Sequence, residues 1–193
     1  MENGVLYNPI IEDMKIKNAL QNRTIDFVED FEENSCYKAI YLLDKIVKND
    51  KLKNKKPSDI TIRINSYGGY CYELWSLIDV IEGYKKEGYT FTTRSIGKSM
   101  SCGFILFLSG NTRVASKYST LLHHSVASGM SGKVQDLREE LKHTERLNEM
   151  GRNYVLKQTN IPIEKLDEID KNKEDYIFSL EELKEYNIAT EII

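Results

Sequence analysis

The fold of this 193-residue chain is decided by residues 60–108, which read ITIRINSYGGYCYELWSLIDVIEGYKKEGYTFTTRSIGKSMSCGFILFL. Residues 60–64 alternate between apolar and polar side chains, as a strand does, and residues 65–69 follow as a tight turn. Residues 89–96 form the next strand. The helix between the strands has four aliphatic residues on one face, Leu74, Leu77, Ile78 and Ile81. This βαβ unit predicts an α/β fold with a parallel sheet and right-handed crossovers.

The second glycine-rich turn of this stretch, residues 97–103, contains a candidate nucleophile. Ser101 lies just before the wholly apolar residues 104–108, which predict a buried helix. At the start of such a helix, unpaired backbone N–H groups and the positive end of the helix dipole can receive an oxyanion. The position of Ser101 therefore suits acyl transfer. The alternative is that residues 97–103 are only a flexible turn before a core helix.

Before residue 60 the periodicity of apolar residues is weaker. Residues 1–22 show no clear period, and Asn8-Pro9 predicts a turn. Residues 23–27 predict a short strand, and Asn34-Ser35 offers a cap for the helix that follows. The apolar positions expected on that helix are Tyr37, Ile40, Tyr41 and Ile46. The lysine-rich residues 48–56 predict a solvated loop, with a nucleic-acid patch as the alternative.

Downstream, residues 112–115 and 120–124 predict two further strands, and residues 128–132 a flexible break. A long charged helix is expected over residues 133–157. Its apolar stripe is uneven and consists of Val134, Leu137, Leu141, Leu147, Met150 and Tyr154. Packing on the core and contact with another subunit both explain such a stripe. A short helix, a turn that ends in residues 175–178 and a terminal helix over residues 180–186 close the chain.

Composition excludes several classes of protein. The net charge of -3 gives no general reason to expect nucleic acid or an anionic membrane as a partner. No stretch of about 18 apolar residues and no charged-then-apolar leader is visible, so we expect no membrane span and a cytoplasmic location. Cys36, Cys71 and Cys102 are odd in number and widely spaced, which predicts free thiols and no zinc site. No phosphate-binding glycine motif is present, so any ATPase partner must be a separate protein.

A serine nucleophile needs a base within hydrogen-bond reach and, usually, a carboxylate that orients the base. His123 and His124 lie in the strand predicted over residues 120–124. Because successive side chains of a strand point to opposite faces, only one of the two is expected to face Ser101. His143, within the charged helix, is expected at the solvated surface.

Three motifs in this order resemble the proteolytic subunit of the Clp protease family, namely NSYGG at residues 65–69, GKSMSCG at 97–103 and STLLHH at 119–124. The resemblance covers residues 23–192. It places the nucleophile on Ser101, the base on His124 and the orienting carboxylate on Asp175. It assigns the oxyanion donors to the N–H groups of Gly69 and Cys102. Cysteine stands where the family usually has methionine, but a backbone donor depends little on its side chain.

The resemblance also implies a fold and an assembly. The fold would be a crotonase-like spiral of βαβ units, spanning residues 23–193, with an N-terminal arm over residues 1–22. The helix at about 133–157 would protrude as a handle that joins heptameric rings face to face into a tetradecamer. An AAA+ ATPase unfoldase is a candidate partner, and neither a cofactor nor a metal is implied.

The implied function is a serine endopeptidase that cleaves protein or peptide substrates inside a ring chamber. Three alternatives remain at this level. The first is a bacteriophage protease for capsid maturation with the same fold, and the second is a catalytically silent ring subunit. The third is an acyl-CoA enzyme of the crotonase group, against which the Ser–His–Asp set argues.

Overall fold

A computed structural model of the chain describes residues 9–172 and 175–193. Its helices are, in chain order, α1 Pro9–Asn22, α2 Glu33–Leu52, α3 Cys71–Lys86, α4 Cys102–Leu108, α5 Val134–Gln158, α6 Ile163–Asn172 and α7 Leu180–Glu185. Its strands are β1 Thr24–Phe27, β2 Ile60–Ser66, β3 Phe91–Met100, β4 Thr112–Ala115, β5 Thr120–His123, β6 Tyr176–Ile177 and β7 Glu191–Ile192. The βαβ unit predicted within residues 60–108 is present as β2, α3 and β3.

Parallel pairing joins five strands in the order β1-β2-β3-β4-β7. β5 pairs in parallel with the far end of β3, and β6 pairs with β5 in the antiparallel direction. Parallel neighbours need crossover connections, which the helices supply. The arrangement confirms the predicted α/β class, a crotonase-like spiral of βαβ units from which one long helix protrudes.

β3 is longer than the predicted strand and bends in its middle. The prediction that the strand ends at residue 96 and is followed by a glycine-rich turn over residues 97–103 was wrong, because β3 continues to Met100. Gly97 has a φ of +137°, a conformation that L side chains rarely adopt. Before this residue β3 pairs with β4, and after it β3 pairs with β5. The bend therefore directs the second half of β3 toward a different neighbour and leads the chain to Ser101.

The helices α3 and α4 form the centre of the core. The four residues predicted for the buried face of α3, Leu74, Leu77, Ile78 and Ile81, are its buried residues in the structure. All seven residues of α4 are buried, and Phe104, Leu106 and Phe107 have no exposed surface. The prediction of a buried helix immediately after Ser101 is confirmed.

The helix α2 differs from its prediction at both ends and in its buried face. Its N-cap is Glu32, and Ser35, expected as part of the cap, is the N3 residue whose hydroxyl accepts the Glu32 N–H at 3.0 Å. The helix continues to Leu52, into the lysine-rich residues predicted as a loop. Tyr37 and Tyr41 were expected on the apolar face, but they are 67% and 39% exposed. Ile46, also expected there, is buried. In the first half of the helix the buried apolar positions are instead Cys36, Ala39 and Leu42.

The helix α1 was not predicted. The sequence shows no clear period before Arg23, yet residues 9–22 are helical, and Pro9 occupies the first helical position, where a missing N–H costs little. Asn8, the other residue of the predicted turn, lies outside the described residues. Ala19 is fully buried, and α1 packs on α2 and β1.

The helix α5 lies within one residue of its predicted bounds. Val155, near its C-terminal end, is its one buried residue. Val134 is 66% exposed and Leu141 is 49% exposed. Packing on the core therefore explains the C-terminal part of the apolar stripe and leaves the N-terminal part uncovered. Among the described helices, none combines the length and the apolar character that crossing a lipid bilayer requires.

A buried arginine fixes the C-terminal strand β7, which was not predicted. The Arg113 side chain of β4 donates from Nε to Ile188 O at 2.8 Å and from Nη2 to Asn187 O at 2.6 Å. Only 6% of Arg113 is exposed, and burial lowers the pKa of its guanidinium. The guanidinium thus satisfies carbonyls at the end of α7 and aligns β7 beside β4.

We expect Arg113→Met to lower the free energy of unfolding by about 3 kcal/mol, because the substitution leaves two carbonyls without their donors. Chemical denaturation measures the change. Arg138→Met is the matched control, since Arg138 is exposed on α5, and its effect should stay within about 0.5 kcal/mol. Equal stability of the two variants would show that Arg113 does not hold β7.

Candidate active site

Ser101 is the single residue between β3 and α4. Its φ is 52° and its ψ is −119°, so it adopts a conformation that non-glycine residues rarely adopt. Its N–H donates to Leu122 O at 3.0 Å, which fixes the junction to β5. Backbone strain of this kind costs about 1–3 kcal/mol and is concentrated at functional sites. The strand-to-helix junction exposes the Ser101 side chain at the start of α4.

A glycine pair packs against this serine from the end of β2. A Cβ atom on Gly68 would lie 2.7 Å from the Ser101 Cβ, and one on Gly69 would lie 2.5 Å from Phe31 O. Both glycines have a positive φ, +120° and +139°. The Phe31 N–H donates to Gly68 O at 2.7 Å, and Phe31 O accepts the Tyr70 N–H at 2.8 Å. Only glycine allows the turn to approach both the serine and the Phe31 backbone this closely.

The N–H groups of Gly69 and Cys102 are the predicted oxyanion donors. In the described ranges, neither N–H donates to an acceptor of the chain. Cys102 is the first residue of α4, where backbone N–H groups have no intrahelical acceptor. Its thiol donates to Gly69 O at 3.2 Å, which ties the two donor segments together. Two unpaired N–H groups therefore line one cavity with Ser101.

Two thiols lie side by side in this cavity. Cys71, the first residue of α3, is adjacent to Cys102, and side-chain hydrogen bonding between the two thiols lowers the pKa of Cys71 from 9.0 to about 7. The same contact and burial raise the pKa of Cys102. Because its pKa is raised, the Cys102 thiol is a poor nucleophile. Sequence analysis predicted Cys71 only as a free thiol, because nothing in the sequence indicates that residues 71 and 102 meet.

His124 pairs with Asp175. The Nδ1 atom of His124 lies 3.3 Å from Oδ1 of Asp175, and 74% of the Asp175 side chain is exposed. The register of two strands explains this pair: β5 and β6 are antiparallel and His123 is opposite Tyr176, so the next residues outward are His124 and Asp175. His124 also lines the cavity that contains Ser101. In the described chain no hydrogen bond joins the Ser101 hydroxyl to His124; such bonds are often long in unliganded enzymes.

His123 is the buried histidine of the pair. It is 7% exposed, and its ring lies 5.6 Å from the ring of Phe104, between centroids. Burial lowers its pKa from 6.5 to about 4, so its imidazole is neutral near pH 7. His143 is exposed on α5, as predicted. The structure thus separates the three histidines into one paired with a carboxylate, one buried and one at the surface.

The cavity beside Ser101 has a volume of about 290 Å³. Gly69, Cys102, Ser101 and His124 line it, while Asp175 reaches His124 without lining it. The structure therefore brings the five predicted site residues to one place. Asp170, which the sequence offered as the alternative carboxylate to Asp175, also lines the cavity. Sequence analysis missed the polar lining residues Asn148 and Arg152, because α5 carries many polar residues and no motif distinguishes these two. Within the described residues, no three His, Cys, Asp or Glu side chains are grouped as ligands for a metal ion.

The comparisons with known proteins identify the family. The sequence profile described as Clp protease matches residues 12–193. The chain belongs to this family. The match includes most of α1, so it begins earlier than the resemblance over residues 23–192. Membership of the Clp protease family confirms the prediction that the protein is a serine peptidase.

Two similar relatives are both named proteolytic subunits. The chain is 27% identical over 168 residues to an ATP-dependent Clp protease proteolytic subunit of Deinococcus radiodurans, an alignment that covers 86% of this chain and 76% of the relative. It is 28% identical over 143 residues to an ATP-dependent Clp protease proteolytic subunit 2 of Corynebacterium jeikeium, with 69% of this chain and 63% of the relative covered. The chain thus spans less than two thirds of the length of the second relative.

We expect His123→Leu to remove part of the acid sensitivity of folding. The pKa of His123 is about 4 in the folded chain and 6.5 in the unfolded chain. As the pH falls, the unfolded chain therefore binds a proton first. The folded state therefore loses stability between pH 6.5 and pH 4, by about 3 kcal/mol for this histidine, and loses none above that range.

Denaturant titrations at neutral pH and at about pH 4.5 measure this difference. The wild type should lose about 2–3 kcal/mol more than the His123→Leu variant on acidification. His143→Leu is the control and should behave as the wild type does, since His143 is exposed. Parallel losses in the wild type and in His123→Leu would contradict the assignment of a buried neutral imidazole.

Proposed function

We propose that the protein is a serine endopeptidase whose nucleophile is Ser101, whose base is His124 and whose orienting carboxylate is Asp175. One observation carries the proposal: a strained serine at the start of α4 shares a cavity with two unpaired N–H groups and with a histidine that is paired to a carboxylate. This set of groups is what acyl transfer to serine requires.

The reaction follows from the position of each group. His124 accepts the Ser101 proton on Nε2 while the Ser101 Oγ attacks the peptide carbonyl carbon. The Gly69 and Cys102 N–H groups hold the resulting oxyanion, and His124 then protonates the leaving amine. In the second half of the reaction His124 accepts a proton from water while the water oxygen attacks the acyl carbon. The bond to the Ser101 Oγ then breaks, and His124 returns the proton to that oxygen. Asp175 keeps the Nδ1 proton on His124, so Nε2 is free to act as the base.

The same proposal includes assembly into stacked heptameric rings. The N-terminal part of α5 supports it, because Val134 and Leu141 are exposed apolar residues on a helix that projects from the core. Met130, just before the helix, is 36% exposed. Burying these side chains against the same helix of another subunit would remove apolar surface from water. The sequestered chamber would then restrict which polypeptides reach Ser101.

A separate ATPase is part of the proposal as well. Both relatives are named ATP-dependent, and no phosphate-binding glycine motif occurs in this chain. We place the protein in the cytoplasm, where its three thiols would stay reduced. The names of the relatives favour neither a capsid-maturation protease nor a catalytically silent ring subunit.

Replacing Ser101 by alanine should abolish peptide hydrolysis, because no other group supplies the attacking oxygen. The measurements are cleavage of a fluorogenic peptide and covalent labelling by a fluorophosphonate, which reacts with activated serines. Both signals should disappear in Ser101→Ala. Ser99→Ala is the matched control: Ser99 is buried two residues earlier, donates to Ser95 and should leave the labelling intact.

The base and the carboxylate are tested in the same assay. His124→Ala should remove activity, and Asp175→Asn should lower kcat by about 10⁴ with little change in KM. A silent Asp175→Asn together with an inactive Asp170→Asn would move the carboxylate role to Asp170. Retained hydrolysis in Ser101→Ala, with loss in Cys71→Ala, would make a thiol the nucleophile and the proposal wrong.

Assembly should depend on the exposed apolar part of α5. Leu141→Lys should convert stacked rings into single rings, because the introduced ammonium would be buried at the contact. Sedimentation velocity measures the change. Leu52→Lys makes the same substitution at an exposed apolar residue of α2 and should leave the assembly intact. A wild-type protein that is monomeric and fully active on peptides would refute the ring.

A further inference from the structure

The cavity beside Ser101 is lined by both apolar and polar side chains. Leu74 and Trp75, on α3, are among the apolar ones. The polar part of the lining, called here the polar wall, consists of His123 from β5, Asn148 and Arg152 from α5, and Asp170 from α6. A substrate side chain that enters this cavity would therefore meet both apolar surface and polar groups.

The two charged groups of the polar wall, Arg152 and Asp170, are paired with each other. Arg152 donates from Nη1 to Asp170 Oδ2 at 3.1 Å, and it also bonds to Asp167. The remaining carboxylate oxygen of Asp170 accepts the Ser125 hydroxyl at 2.6 Å. Since Arg152 is balanced by two carboxylates, the wall has no uncompensated positive charge to attract an acidic side chain. Asp170 is already occupied on both oxygens, so it is a weak site for a basic side chain.

The two uncharged groups of the wall retain hydrogen-bonding capacity. Asn148 uses its Oδ1 to accept the Val126 N–H at 2.9 Å, and its amide NH₂ has no acceptor in the described chain. In the described chain the His123 imidazole has no hydrogen-bond partner either, although only 7% of the residue is exposed. The unpaired nitrogen atoms of Asn148 and His123 are not fully buried. Because both residues line the cavity, these atoms are accessible from it. A neutral imidazole offers one N–H donor and one acceptor nitrogen.

We propose that this cavity binds the substrate side chain next to the cleaved bond and selects an uncharged side chain with an apolar stem and a terminal hydrogen-bonding group, as in glutamine. The inference rests on the proposed peptidase function and adds the substrate class. The carboxamide oxygen would accept from the Asn148 amide, and the carboxamide NH₂ would donate to the acceptor nitrogen of His123. His123 is then a residue that determines specificity.

The physical basis is the cost of leaving buried polar groups unpaired. A purely apolar side chain would displace water from His123 and Asn148 without replacing its hydrogen bonds, which costs binding free energy. A carboxylate would enter a low-dielectric cavity without an unpaired cation and would pay for its desolvation. The cavity volume of about 290 Å³ suits one long side chain.

The experiment compares three peptides that differ only in the residue before the cleaved bond, which is glutamine, methionine or glutamate. These side chains have similar length, so polarity and charge are the variables. In the wild type kcat/KM should be about tenfold higher for glutamine than for methionine, and lowest for glutamate. In His123→Leu the ratio of glutamine to methionine should fall by about tenfold, toward one. His143→Leu, at the exposed histidine of α5, should keep the wild-type ratio.

The outcomes separate this inference from the function on which it rests. Cleavage that depends on Ser101 but prefers methionine to glutamine would overturn the inference and leave the peptidase in place. An unchanged ratio in a folded His123→Leu variant would do the same. If that variant does not fold, the wild-type ratio alone decides. Failure to cleave all three peptides would overturn the proposed function and the inference together.

Discussion

The burial of α4 is the constraint on which the site depends. Each of its seven residues is buried, and the Thr93 hydroxyl of β3 donates to Phe107 O at 2.6 Å. Full burial of one large apolar side chain stabilises a fold by about 1.5–3 kcal/mol, and α4 contributes five such side chains. The strain at Ser101 costs about 1–3 kcal/mol. The packing of α4 therefore outweighs the strain and holds the serine where β3 ends and the helix begins.

The glycine turn brings the other half of the site to this junction. Gly68 approaches Ser101, Gly69 approaches Phe31, and the Phe31 backbone closes two hydrogen bonds around the turn. A side chain on either glycine would separate the Gly69 N–H from the Cys102 N–H. Because Phe31 is fully buried, the turn is anchored to the core and does not rely on contacts at the surface.

Sequence patterns predicted those parts of the molecule in which local and tertiary preferences agree. The buried face of α3 and the start of α4 follow from the spacing of large aliphatic side chains, and both are as expected. The predicted end of the strand at Gly97 was wrong. A glycine often ends a strand, but here β3 bends at Gly97 and continues, because its second half pairs with β5. The prediction was also wrong in the first half of α2, where two tyrosines expected on the buried face are exposed and the small residues Cys36 and Ala39 are buried instead. The roles of Asn148 and Arg152 in lining the cavity were beyond prediction, since both lie on α5, whose polar residues look alike in sequence.

The adjacent histidines show how one register decides two different roles. Their order in the chain allows either histidine to meet a carboxylate. The alternation of side chains along a strand shows only that the two point to opposite faces. Since the antiparallel ladder pairs His123 with Tyr176, His123 is held inside the sheet, where Phe104 covers one side of its ring. His124 follows the last pair of the ladder, and the residue before Tyr176 is Asp175, so the two meet where the ladder ends. A slip of one residue would pair His123 with Asp175 instead. The short ladder of β5 and β6 therefore separates the histidine that meets a carboxylate from the one that is buried.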